Sequence, residues 1–245
     1  MTDLTNLIPS HEPSEDTLAT VGGMALDAIP LVGPLAGRAL DHALAMRERE
    51  RRREFDLAIV GEVQRLAEQA ETALTVADVV SSDEFLATLA RTRREAAETA
   101  STTKRQRLAR AAVSSLDPGA PSRAEREGYL RLIIELDDLH IWLLSYFVHP
   151  RKWLETHDLA HTYANVSAGS PALPLEAALG HFGHTSSAPV ENALADIQRR
   201  GLVDVPLRTF MSQSGMLQPR ITSRGRALLH FLNQGNAADA VPPAA

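Results

Sequence analysis

Between Ala188 and Val205 the apolar residues change their period within a few positions. Val190, Leu194 and Ile197 recur at helical spacing, Gly201 stops the run, and Leu202-Val203 opens an extended piece. Upstream, LPLEAALGHF reads as a short helix, followed by a turn from Gly183 to Ser187. Downstream the pattern predicts a strand over 202–206, a polar, glycine-bearing connection from Leu207 to Gln218, a strand around Pro219–Thr222, and a closing helix over 222–233. Helix, turn, helix, strand, loop, strand, helix admits few compact solutions. The simplest is a small α+β unit of three helices with a two-stranded flap.

The rest of the chain reads as helical. Aromatic residues make up only 4% of it, so the core must be built mainly from Leu, Ala, Val and Ile. Residues 1–16 hold Pro9, Pro13 and several acids and read as a tail; 234–245 reads as a second one. Between Val21 and Gly37 the only charge is Asp27, and four glycines with Pro30 and Pro34 interrupt the apolar run. A short helix before Pro30, a break, and a second helix opening near Pro34 are expected, since proline suits a first turn. That helix should run to about Ala77. RERERRRE at 47–54 interleaves charge signs, and Phe55, Ile59, Val63, Leu66, Ala70 and Leu74 form its apolar face. Ser81 to Glu84 reads as a cap for a helix carrying Phe85, Leu86, Leu89, Ala96 and Ala97. A helix over 104–116 and a loop at 117–122 follow. Ser122 with Glu125 is a capping-box pair that opens a long, mostly apolar helix reaching His149-Pro150, the expected centre of a bundle. A shorter helix over 151–165 leads into a Ser/Gly/Pro-rich boundary. The predicted fold is therefore mainly α: a helical bundle at 17–165, with a Gly/Pro-rich arm at 17–46, and a small α+β domain at 173–233.

Residues 173–233 resemble the winged helix-turn-helix superfamily. The residues that carry the likeness are Val190, Leu194 and Ile197 on one face, Gly201-Leu202-Val203 at the helix exit, and Thr222 to Arg226 opening the last helix. The resemblance implies that the second helix enters the major groove and that its exposed residues meet base edges. Carried onto this chain, those positions include Ser187, Asn192 and Gln198, and the amides of Asn and Gln can pair with adenine. Arg199, Arg200, Arg208, Arg220, Arg224 and Arg226 would hold phosphates. From 171 to 235 six arginines face four acids, a local surplus of two in a chain whose net charge is −6. Glu191 opposes that surplus. Modules of this class also bind proteins, so either DNA or a protein is the implied partner. Residues 21–149 are loosely similar to helical regions of uncharacterised bacterial proteins, a likeness that implies no activity.

Other chemistry is thinly represented. There is no cysteine, which excludes disulfides and thiolate sites. HDLAH at 157–161 would set His157 and His161 on one helical face and is similar to the zinc-peptidase pattern with Asp158 in place of glutamate. Surface histidines beside a linker are the expected reading, with a metal-dependent hydrolase as the alternative. Glu135, Asp137, Asp138 and His140 interrupt the most apolar helix and are expected to pair with Arg91, Arg93 or Arg94. No phosphate loop and no nucleophile elbow occurs. The run 21–37 could instead meet a bilayer, being short, apolar and rich in small residues. The expectation is a cytoplasmic, non-enzymatic regulator or adaptor of a bacterial type. It needs no cofactor or metal, self-associates through its bundle, and binds DNA or a protein through its C-terminal module.

Overall fold

The first helix, α1 (Pro34–Gln69), opens on proline at its first position, as its sequence predicts. This computed structural model describes residues 34–69, 76–117, 119–181 and 188–232. The arm at 21–33 and the expected helical residues 70–75 lie outside them. Over the described residues the chain is mainly helical, with one two-stranded sheet. It divides into two compact units at Leu116/Asp117.

In the N-terminal unit, α1 packs with α3 (Asp83–Glu98) and α4 (Thr102–Val113). A short α2 (Val76–Ser81) precedes α3, and a 3-10 turn at Ser114–Leu116 ends the unit. The helices start where their caps dictate: Ser82 accepts from Phe85 N, and Ser101 accepts from Lys104 N. Leu66, Phe85, Ala112 and Val113 form the core cluster, with Ile59, Val63, Val79, Leu89 and Leu116 against it. Leu86, expected inside, is exposed. Phe85, Ala96 and Ala97 on the same helix are buried.

Charged ties supplement this apolar packing. Glu62 on α1 accepts from Arg110 Nε (3.1 Å) and Nη2 (2.9 Å) on α4, and from Arg65 one turn on. Burial of the Glu62 carboxyl opposes its ionisation, but the hydrogen bonds from Arg110 and Arg65 outweigh burial and hold it below the usual carboxylate range. Arg105, buried on α4, pairs with Glu54 and also donates to Thr99 O at 2.9 Å.

In the C-terminal unit the long apolar helix expected to reach Pro150 is broken in two. The first piece, α5 (Arg123–Glu135), opens on the Ser122–Glu125 capping box. The second, α6 (Asp138–Tyr146), is capped by Asp137. The Asp137 carboxylate accepts from His140 N at 3.1 Å, and its Oδ1 lies 2.6 Å from the His140 ring Nδ1, which also lies 3.3 Å from Asp137 N. An aspartate that satisfies free helix N–H groups competes with helix continuation, so the break is a local hydrogen-bond choice. Pro150, expected to close a helix, instead opens α7 (Pro150–Thr156). That helix stops well short of residue 165, because Asp158 takes φ 57.

Then come a 3-10 turn (Ala160–Thr162), β1 (Ala168–Gly169), α8 (Ala172–His181) and α9 (Ala188–Arg199). β2 (Met211–Ser212), α10 (Gln213–Met216) and α11 (Ser223–Phe231) complete the unit. α6 packs against α9 and α11, and α7 against α8. The boundary expected near 165–174 therefore runs through the interior of one unit. Phe147 O receives Arg220 N at 2.9 Å, and Tyr129 meets Phe231 at 5.0 Å, which ties 123–149 to the closing helix.

The His140 hydrogen bond holds the Asp137 carboxyl at about 2, against an ordinary 3.8, although burial works the other way. A carboxylate depressed in the folded state contributes stability above its unfolded value and loses it as pH falls toward the folded one. The side chain is 64% exposed, so solvent limits the contribution to about 1 kcal/mol. Both tryptophans, Trp142 and Trp153, belong to this unit. Asp137→Asn, which still caps, should flatten the tryptophan-monitored loss of stability between pH 3.8 and about 2. An unchanged curve would remove Asp137 from the acid response.

Candidate nucleic-acid interface

α9 has the two faces its sequence predicts. Val190, Ala193, Leu194 and Ile197 are buried, while Glu191, Asn192, Ala195 and Arg199 face solvent. Gly201 takes φ 67. Gly201 N donates to Gln198 O (2.8 Å) and Leu202 N to Ile197 O (2.9 Å), the paired bonds of a left-handed helix stop. The chain then turns into Val203, which pairs with Ile221 in a single antiparallel bridge. Asp204 N donates to Arg220 O (2.8 Å) and Thr222 N to Leu202 O (3.0 Å) around it.

The strands expected at 202–206 and 219–222 thus shrink to this one bridge. The paired strands are 168–169 and 211–212, in the register Ala168↔Ser212 and Gly169↔Met211. Gln213 reinforces that pairing: its N donates to Ser167 O (2.9 Å) and its Nε2 to Tyr163 O (2.6 Å). The connection 207–218 is therefore clamped to a segment more than forty residues upstream, and it includes the short α10. Pro219 cannot donate to a ladder and Pro206 ends the first extended piece, which keeps the hairpin short.

The six arginines divide into two sets. Arg199 pairs with Asp196 on its own helix at 2.5 Å, and Arg200 reaches Glu135 at 2.6 Å. Arg220 is half-buried and donates to Gly215 O (2.9 Å) and Met211 Sδ (3.2 Å), so it braces the 207–218 connection. Arg208, Arg224 and Arg226 are exposed and form no ion pair among the described residues. Arg224 and Arg226 stand in the first turns of α11, capped by Thr222, whose hydroxyl accepts from Gly225 N at 3.0 Å. No acid occurs between Asp204 and Asp239, so the loop and α11 carry cations only.

Of the amide positions, Asn192 is exposed. Gln198 is committed inward, its Nε2 donating to Val205 O at 2.8 Å. Ser187 lies outside the described residues. The neutralising partners Asp196 and Glu135 escaped the sequence reading. Asp196 was legible from its spacing of three from Arg199; Glu135 lies 65 residues from Arg200, a separation that spacing does not encode.

The acidic cluster at 135–140 also finds partners other than those expected. Arg93 binds Asp56 and Arg200 takes Glu135. His140 Nε2 faces Asp196 Oδ2 at 3.7 Å. HDLAH is not one helical face, since α7 ends at Thr156 and Asp158 turns left-handed. The His157 ring takes Trp153 O (2.8 Å) and the His161 ring takes Asp158 O (2.9 Å). Among the described residues no group of three or more histidine or acidic side chains is placed to hold a metal ion. Nor is any helix among them long and apolar enough to cross a membrane.

The N-terminal unit has an arginine-lined cleft of about 550 Å³ between α1 and α3. Its arginines are largely engaged: Arg51 with Ala97 O (3.2 Å), Arg52 with Glu48 (2.5 Å) and Arg93 with Asp56 (2.5 Å). The free cations of the C-terminal unit make the stronger candidate. No family model, curated protein or solved structure matches the chain.

Proposed function

We propose that the chain is a non-enzymatic DNA-binding regulator whose C-terminal unit engages the phosphate backbone through Arg208, Arg224 and Arg226. The observation that carries this reading is their lack of ion-pair partners among the described residues, in a segment without acids, within a chain of net charge −6. Unpaired exposed guanidiniums suit phosphate because they release condensed counterions on contact. The N-terminal end of α11 adds a favourable partial charge beside Arg224 and Arg226. The helix-turn-helix reading assigns α9 to the groove, with Asn192 as the exposed amide that can read a base. Arg199 contributes when a phosphate displaces it from Asp196. Gln198, Arg200 and Arg220 serve the unit's own architecture. The N-terminal bundle supplies self-association, for which the exposed Leu40 and Leu44, one turn apart on α1, offer an apolar seam.

The test is a titration of duplex DNA at two or more salt concentrations. Arg224→Glu/Arg226→Glu should weaken binding by roughly a hundredfold at low salt and lower the slope of log affinity against log salt by about 2. Equal affinity and slope for the parent and the double variant would sink the proposal.

A further inference from the structure

Phe210 stands apart from the other phenylalanines among the described residues. It is 76% exposed, whereas Phe55, Phe85 and Phe147 are buried and Phe231 packs on Tyr129. The ring also sits on a braced loop rather than a loose one. Leu207 N donates to Val205 O (2.9 Å) and Thr209 N to Pro206 O (3.0 Å), which folds the chain into two tight turns just before it. Immediately after it, Met211 pairs with Gly169. The Met211 side chain lies against Gly215, where an added Cβ would meet it at 3.2 Å, and its sulfur receives Arg220 Nη2. An aromatic ring displayed from a fixed backbone binds a partner with little further ordering, and such rings anchor interfaces.

Its surroundings specify the partner. Arg208 and Thr209 beside it are exposed, Arg208 has no ion-pair partner among the described residues, and the sequence from Val205 to Ala238 holds no acid. A surface that offers cations plus one bare π-face is complementary to a polyanion that also carries flat rings. Nucleic acid has both, and bases stack on aromatic side chains largely irrespective of their identity. We infer that Phe210 is a base-contacting residue, stacking on a nucleobase of DNA while Arg208 holds the adjoining phosphate. The inference rests on the DNA-binding reading and adds a contact that reading does not contain.

Three ligands separate the outcomes: a duplex carrying 2-aminopurine, the same strand unpaired, and inorganic polyphosphate, which has the charge without the bases. Full-length protein is used throughout. Phe210→Ala should weaken binding to DNA by roughly tenfold, leave the salt slope unchanged, and leave polyphosphate affinity unchanged. Phe210→Trp should restore DNA affinity. The parent should quench 2-aminopurine and Phe210→Ala should not. The stronger effect on duplex or on single strand identifies which form supplies the stacked base. Far-ultraviolet circular dichroism should be identical for all three proteins, since the ring supports no core. Equal DNA affinity for parent and Phe210→Ala, with the Arg224→Glu/Arg226→Glu effect intact, overturns this inference and spares the DNA-binding reading. An equal loss on polyphosphate also overturns it, because the loop and not the stack would then be at fault. A parent that binds no DNA removes both.

Discussion

Gly225→Ala should cost the C-terminal unit about 3 kcal/mol of stability. Gly225 is the third residue of α11, and the helix there lies directly on the chain leaving α9. A Cβ at this position would overlap the Leu202 carbonyl oxygen and stand 2.8 Å from Ile221 Cγ1. The obstacle is backbone, so no side-chain rotation relieves it. That carbonyl also accepts Thr222 N and Thr222 Oγ1, both at 3.0 Å, and Thr222 in turn caps the helix. Pushing α11 outward therefore breaks the cap along with the contact. The same shift moves Arg224 and Arg226, so on the proposed DNA-binding function the affinity for DNA should fall even where the variant remains folded. Urea unfolding followed by tryptophan fluorescence measures the effect in this unit alone, because both tryptophans lie within it. Gly128→Ala on α5 is the matched control. Nothing stands within 4 Å of its Cβ position, and alanine there should add about 0.5–1 kcal/mol through helix propensity. A Gly225→Ala midpoint equal to the parent's would show that the close approach is unimportant.

The sequence made the local events legible and left the distant ones hidden. Caps at Ser82 and Ser122, the start at Pro34, the buried stripe Val190, Leu194 and Ile197, and the stop at Gly201 all follow from residues within four positions of each other. Local hydrogen-bond chemistry also explains the largest misreading. The run 123–149 is apolar enough to suggest one helix, yet Asp137 and His140 stand three apart and form a capping box inside it. That signature was present in the sequence, but the surrounding hydrophobicity argued more strongly for continuation. The β pairing was hidden for a different reason. Residues 168–169 and 211–212 make only two pairs, too few for any alternation to show, and the clamp depends on Gln213, whose bonds to Ser167 and Tyr163 span more than forty residues.

The candidate site followed the same rule. Counting charge over 171–235 located the cationic module. It could not show which guanidiniums were free, since Arg200 is neutralised from α5 and Arg220 is turned onto Gly215. A finer reading of the composition, the absence of acids between Asp204 and Asp239, narrows the set to Arg208, Arg220, Arg224 and Arg226 without coordinates. His157 and His161 show the opposite hazard. Their spacing of four has meaning only on a helix, and one left-handed residue at Asp158 removes it.

Trp153→Ala should be at least as costly as the glycine substitution, about 3–5 kcal/mol. Trp153 is almost wholly buried on α7, edge-on to Trp142 and Tyr146 at 5.6 Å each and stacked on His157 at 3.9 Å. Burial pushes the nearby Tyr146 phenol up, as expected of a hydroxyl in an apolar setting. α7 has seven residues, far too few to persist without tertiary support, so its place depends on Trp153 and the buried Leu154. Removing the indole opens a cavity in the aromatic cluster and frees the chain that follows, which includes Tyr163. The Tyr163 carbonyl holds Gln213, and Gln213 holds the base of the loop that displays Arg208 and Phe210. On the proposed DNA-binding function, the substitution should therefore weaken binding at temperatures where circular dichroism still reports a folded protein. Trp153→Phe, which keeps a ring in the cluster, should recover roughly half of the lost stability. Trp142 becomes the only tryptophan in either variant and reports unfolding directly. A loss below about 1 kcal/mol for Trp153→Ala would mean that the neighbouring rings close the space, and that α7 does not transmit order to the loop.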